Sequence, residues 1–95
     1  MSMSSLLNPG DLVISTAGRD KGRIFLVTEI DNKFVFIIDG KLRKVGKPKK
    51  KNKKHLKKVL TGGLIYLSER IQKGECVGNE RICRAIKTQT KKQED

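Results

Sequence analysis

The chain has no tryptophan, one tyrosine and three phenylalanines among its 95 residues. Proteins that read single strands by stacking bases need exposed aromatic rings. Phe25, Phe34 and Phe36 fall in apolar stretches where a core claims them, so base stacking is expected to be minor. Cysteine is as sparse. Six residues separate Cys76 from Cys83, and the single histidine, His55, is distant from both. A zinc site takes about four ligands, usually in close pairs, so no metal site is expected. With Val77 and Ile82 as neighbours, the cysteines read as two small buried or half-buried thiols. In a reducing compartment no disulfide is expected.

Long apolar runs are also missing. The longest, residues 34–38, is far too short to span a bilayer. Residues 1–7 lack the charged start and long apolar stretch of a secretory signal. The expectation is a cytoplasmic protein with no membrane association. There is no Gly-Lys-Ser/Thr phosphate loop and no pair of carboxylates in an apolar setting, and His55 sits inside a lysine run. No catalytic residue is assigned. No enzyme activity, cofactor or small-molecule substrate is expected.

Acidic residues are absent from one stretch in particular. Residues 41–58 hold 11 of the 22 Lys and Arg and no Asp or Glu, within a chain of formal net charge +12. Such a run repels itself and becomes comfortable beside a polyanion. It lies between apolar segments, so it is a loop anchored at both ends. Gly46, Pro48 and only three apolar side chains (Leu42, Val45 and Leu56) exclude an amphipathic membrane helix.

Ninety-five residues make one small domain with a thin core. Asn8-Pro9-Gly10-Asp11 is a turn signature, and residues 12–16 read as a strand. A polar loop, 17–22, leads to a strand at 23–30, with Ile24, Leu26, Thr28 and Ile30 on one face. A tight turn at 31–33 precedes a strand at 34–38, closed by Asp39-Gly40. Residues 41–45 are expected to form a short strand and 55–61 to close a small antiparallel barrel. Two helices follow. In the first, Leu64, Leu67 and Ile71 share a face and Gly74 stands just past the end. The second has Asn79 as N-cap, runs to about Thr88, and aligns Ile82, Ala85 and Ile86. The expected division is a barrel at 8–62 that includes the basic arm 41–58, a helical extension at 63–90 and a frayed tail at 91–95.

Three segments carry a resemblance. Gly10-Asp11-Leu12-Val13-Ile14, then Gly18-Arg19-Asp20-Lys21-Gly22-Arg23, then residues 24–27, resemble the KOW motif of ribosomal proteins and transcription elongation factors, with the motif glycine falling at Gly22. The lysine-rich residues 47–57 and the closing residues 79–87 are similar to small bacterial KOW-domain RNA-binding proteins. Those resemble in turn the "fourteen-e" group of archaeal and eukaryotic large-subunit ribosomal proteins. The resemblance implies a mainly β fold, an SH3-like barrel of about five antiparallel strands followed by two short helices. It also implies binding to structured RNA, ribosomal RNA above all, by a ribosomal or ribosome-associated protein.

The loop makes physical sense apart from the family. Gly18 and Gly22 permit a tight turn, from which Arg19, Lys21 and Arg23 project. Arginine grips phosphate bidentately and lysine acts as a point charge. Asp20 reads as a turn organiser or as the partner of a neighbouring base. In the arm the expected RNA contacts are Arg43, Lys44, Lys47, Lys49, Lys50, Lys51, Lys53 and Lys54, with His55 as an added hydrogen bond, stack or simple turn residue. A monomer is expected. The alternative is a protein-docking module of a transcription- or translation-coupled factor, in contact through a sheet face or the Ile82, Ala85 and Ile86 stripe.

Overall fold

The computed structural model describes residues 7–60 and 62–93. Five antiparallel strands form one sheet: β1 (Leu12–Ser15), β2 (Ile24–Asp31), β3 (Phe34–Ile38), β4 (Lys49–Asn52) and β5 (Leu56–Leu60). Their order is β4-β3-β2-β1-β5, which leaves β4 and β5 as the two edges. A single 3-10 turn, Lys53–His55, joins those edge strands. Two α-helices follow among the described residues, α1 (Ile65–Gln72) and α2 (Asn79–Gln93).

Alternation along the strands buries side chains on both faces of the sheet. Leu12, Leu26 and Ile38 face the helices and pack with Leu64, Leu67, Val77, Ile82 and Ile86. Val13, Phe25, Val27, Val35 and Ile37 form a second cluster, joined by Leu7. The stripe of Ile82, Ala85 and Ile86 is therefore occupied by the fold itself.

Each helix is keyed to the sheet at a glycine. A Cβ at Gly10 would lie 2.3 Å from the Ile65 Cα, so α1 can approach only a bare backbone there. At Gly40, a Cβ would lie 2.3 Å from the Asn79 carbonyl oxygen and 2.9 Å from the Cys83 Sγ. The register of β2 shifts between Val27 and Glu29, and α1 bonds to carbonyls at that irregularity. The Ser68 hydroxyl donates to the Val27 carbonyl at 2.7 Å, and the Gln72 amide donates to that of Thr28. Beyond α1, the Gly74 and Glu75 amides donate to Ile71 and Arg70, a double closure that glycine favours at φ 83°.

Four expectations need correction. Residues 41–45 form turns, not a strand; the fourth strand lies further on, inside the lysine run. Pairing with β3 overrides the weak strand preference of lysine, and Pro48 stands just ahead of the ladder, where a missing N–H does no harm. Asn79 is the first residue of α2 instead of its cap. The Gly78 carbonyl accepts from Arg81 and Ile82, while the Asn79 side chain accepts from the Val45 amide at 2.7 Å. The helix continues past Thr88 to Gln93; the last two residues of the expected tail, and Thr61, lie outside the described residues. Cys76 is exposed, with only Val77 beside it turned inward, whereas Cys83 is half-buried.

Candidate nucleic-acid interface

The 18–23 loop joins β1 to β2 and takes its shape from backbone bonds. The Gly22 amide donates to Ser15, Lys21 to Gly18 and Arg23 to Asp20. Gly18 and Gly22 adopt φ of 87° and 89°, where a side chain is strained. Arg19, Lys21 and Arg23 are exposed. Asp20 turns the other way and is buried.

That carboxylate is the hub of the site. Its Oδ1 accepts from the Lys51 ammonium at 2.6 Å and lies 2.8 Å from the Ser15 hydroxyl. Its Oδ2 accepts from the Lys49 ammonium at 3.0 Å. Lys51 also donates to the Ser15 Oγ at 2.8 Å and the Ala17 carbonyl at 2.9 Å, which uses all three of its protons. Burial pushes the Asp20 carboxyl up, but hydrogen bonds from Lys51, Ser15 and Lys49, with the charge of Lys51, outweigh it and hold it well below the usual carboxylate range.

This network divides the lysine run by the period of a strand. Lys49 and Lys51 share one face of β4 and reach inward to Asp20. Lys50 points to the other face and sets its ammonium 4.7 Å from the centre of the Phe34 ring. Lys51 was expected to contact RNA. With 8% of its side chain exposed and its donors satisfied, it is a strut between β4 and the loop.

Asp39 organises the next segment. Its Oδ1 accepts from the Lys41 and Arg43 amides, both at 2.9 Å, and its Oδ2 faces the Arg23 guanidinium at 3.4 Å. The loop after β3 is thus pinned to the 18–23 loop at one end and to α2, through Asn79 and Val45, at the other. Arg19, Arg43 and Lys49, from three separate segments, line one cleft beside the exposed Leu42.

The remaining expected contacts are placed as follows. Arg43, Lys44, Lys47, Lys50 and Lys54 are exposed, and Lys53 and His55 are half-buried in the 3-10 turn. His55 serves the backbone, its carbonyl accepting from the Thr16 amide at 2.9 Å. Among the described residues, ion pairs engage Arg23, Lys49, Lys51 and Lys58, the last with Asp11 at 3.5 Å. Arg19, Lys21, Arg43, Lys44, Lys47, Lys50, Lys53 and Lys54 have no carboxylate partner among the described residues. Sequence reasoning overlooked Ser15, Asp39 and Asn79 as positioning residues. Asp39 carried a signal as the first member of a turn pair and Asn79 one as an expected helix cap, while Ser15 carried none.

Among the described residues, no three His, Cys, Asp or Glu side chains are grouped to hold a metal ion, and no helix is long and apolar enough to cross a membrane. Neither the protein-family models nor the curated proteins include a match to this chain.

Proposed function

We propose that this protein is a non-enzymatic, KOW-type RNA-binding module whose five-stranded sheet corresponds to an SH3-like barrel. It binds structured RNA, ribosomal RNA first among the candidates, through the 18–23 loop and the basic segment that follows β3. One observation carries the reading: Arg19 from the loop, Arg43 from the 39–47 segment and Lys49 from β4 line one cleft on a scaffold that hydrogen bonds already hold, and the two arginines have no carboxylate partner among the described residues. A pre-ordered set of arginines and lysines loses less freedom on binding than a floppy tail. Phosphates from several strands of folded RNA converge at such spacings, and shape is read more than sequence.

The second reading, a protein-docking module, loses one of its two contact surfaces, because Ile82 and Ile86 are buried against the sheet. The two readings separate in a sucrose-gradient experiment on cell lysate with an antibody to this protein. RNA binding predicts co-migration with the large ribosomal subunit at low salt and a shift to the top of the gradient after ribonuclease digestion. A heavy complex that survives digestion would support protein docking instead.

A further inference from the structure

We propose that α2 forms one wall of the RNA interface, and that the groove between α2 and the two basic loops holds a backbone phosphate of the bound RNA. The inference rests on the RNA-binding reading above and adds a site that reading does not contain. Three cations line this groove: Arg23 from the first loop, Lys41 from the second and Lys87 from α2. Ile24 and Ile86 form its apolar floor. Like charges gathered from three elements repel one another until an anion sits between them.

The one carboxylate at the groove does not supply that anion. Asp39 is 7% exposed, and its oxygens already accept from the Lys41 and Arg43 amides and from Arg23. The ammonium groups of Lys41 and Lys87 have no ion-pair partner among the described residues. Arg23 is 41% exposed and touches Asp39 at 3.4 Å through one nitrogen, so donors remain for a second acceptor. At the rim, a Cβ on Gly22 would meet nothing within 4 Å, which leaves bare backbone for a ligand to approach.

The helix is a fixed wall. Gly40 admits the close approach of its first turn, the Cys83 thiol lies 3.3 Å from the Asp39 carbonyl, and Ile82 and Ile86 are buried. Lys87, next to Ile86, is therefore held at the groove's edge. Among the described residues no aromatic ring lines the groove, so a phosphate fits it better than a stacked base.

The test compares Lys87→Gln with Arg84→Gln in the full chain, by salt titration of binding to a structured ribosomal RNA fragment. Both changes remove one charge from α2, but Arg84 lines a different cleft, with Leu64 and Tyr66. Lys87→Gln should weaken binding about three- to tenfold and flatten the log–log salt slope by about 0.9, while Arg84→Gln should change affinity less than about twofold. Equal losses in both variants would mean a bulk-charge effect and would overturn the proposal. Wild-type binding with no loss in Lys87→Gln would overturn it and leave the RNA reading standing. Failure of the wild type to bind RNA would overturn both. If Lys87→Gln lost binding to a polyglutamate peptide and kept binding to RNA, the groove would belong to an acidic protein.

Discussion

At the scale of single residues, neighbouring lysines of one run have different jobs. Lys51 is enclosed by Asp20, Ser15 and Ala17, and removing it takes the closer of two ammonium partners from a buried carboxylate. Lys51→Met should lower unfolding free energy by about 3 kcal/mol in urea melts, the range for breaking a buried pair from one side. Lys50→Ser should leave stability within about 0.5 kcal/mol and weaken RNA binding. A triple change of Lys49, Lys50 and Lys51 would confuse the two effects. Asp20 gives the network a pH dependence. A carboxyl held low in the fold stabilises it above the unfolded pKa of about 3.9, and that contribution fades as pH falls through the folded value. Asp20→Asn should therefore be less stable than the wild type at neutral pH, with the gap closing below about pH 4 when urea midpoints are compared. A gap that stayed constant to low pH would exclude a role for the carboxylate's charge. The sequence left Asp20 as a turn organiser or the partner of a neighbouring base, and its carboxylate pairs with bases. It did not show that the partners were Lys49 and Lys51, because that pairing depends on a strand formed thirty residues away.

At the scale of elements, glycines decide where helices meet the sheet. Gly22 and Gly40 both have positive φ, yet only Gly40 faces a neighbour, the Asn79 carbonyl at 2.3 Å from a built Cβ. Gly22→Ala should cost about 1–2 kcal/mol, the backbone strain alone. Gly40→Ala should cost clearly more, about 3 kcal/mol or above, since backbone must move as well. Comparable thermal melts for the two variants would contradict the packing described. Three strands, the closing strand expected at 55–61 and found at Leu56–Leu60, both helices and the Gly74 stop were legible, because apolar alternation, the 3.6-residue period and turn residues all act locally. The fourth strand was not legible. Lys-Lys-Lys-Asn carries no apolar signal, and its place comes from pairing with β3 and from charge that suits an edge strand. Asn79 looked like a cap for the same reason that it binds elsewhere: its short amide finds whichever backbone N–H the fold brings near, here that of Val45.

At the scale of the whole molecule, a net charge of +12 is divided between a few internal struts and an unpaired set on the loop and arm. The composition made the polyanion reading available. Which cations remain free for it could be seen only once the fold had paired Arg23, Lys49, Lys51 and Lys58 with buried carboxylates. About five phosphate contacts from the unpaired set give a salt slope of roughly −4. The most direct measurement is the affinity of the purified protein for a structured ribosomal RNA fragment across a range of salt concentrations. The account predicts a linear log–log plot with a slope near −4, made shallower by replacing Arg43, Lys44 and Lys47 with serine while the melting temperature holds. A slope near zero, or binding indifferent to those three residues, would contradict it.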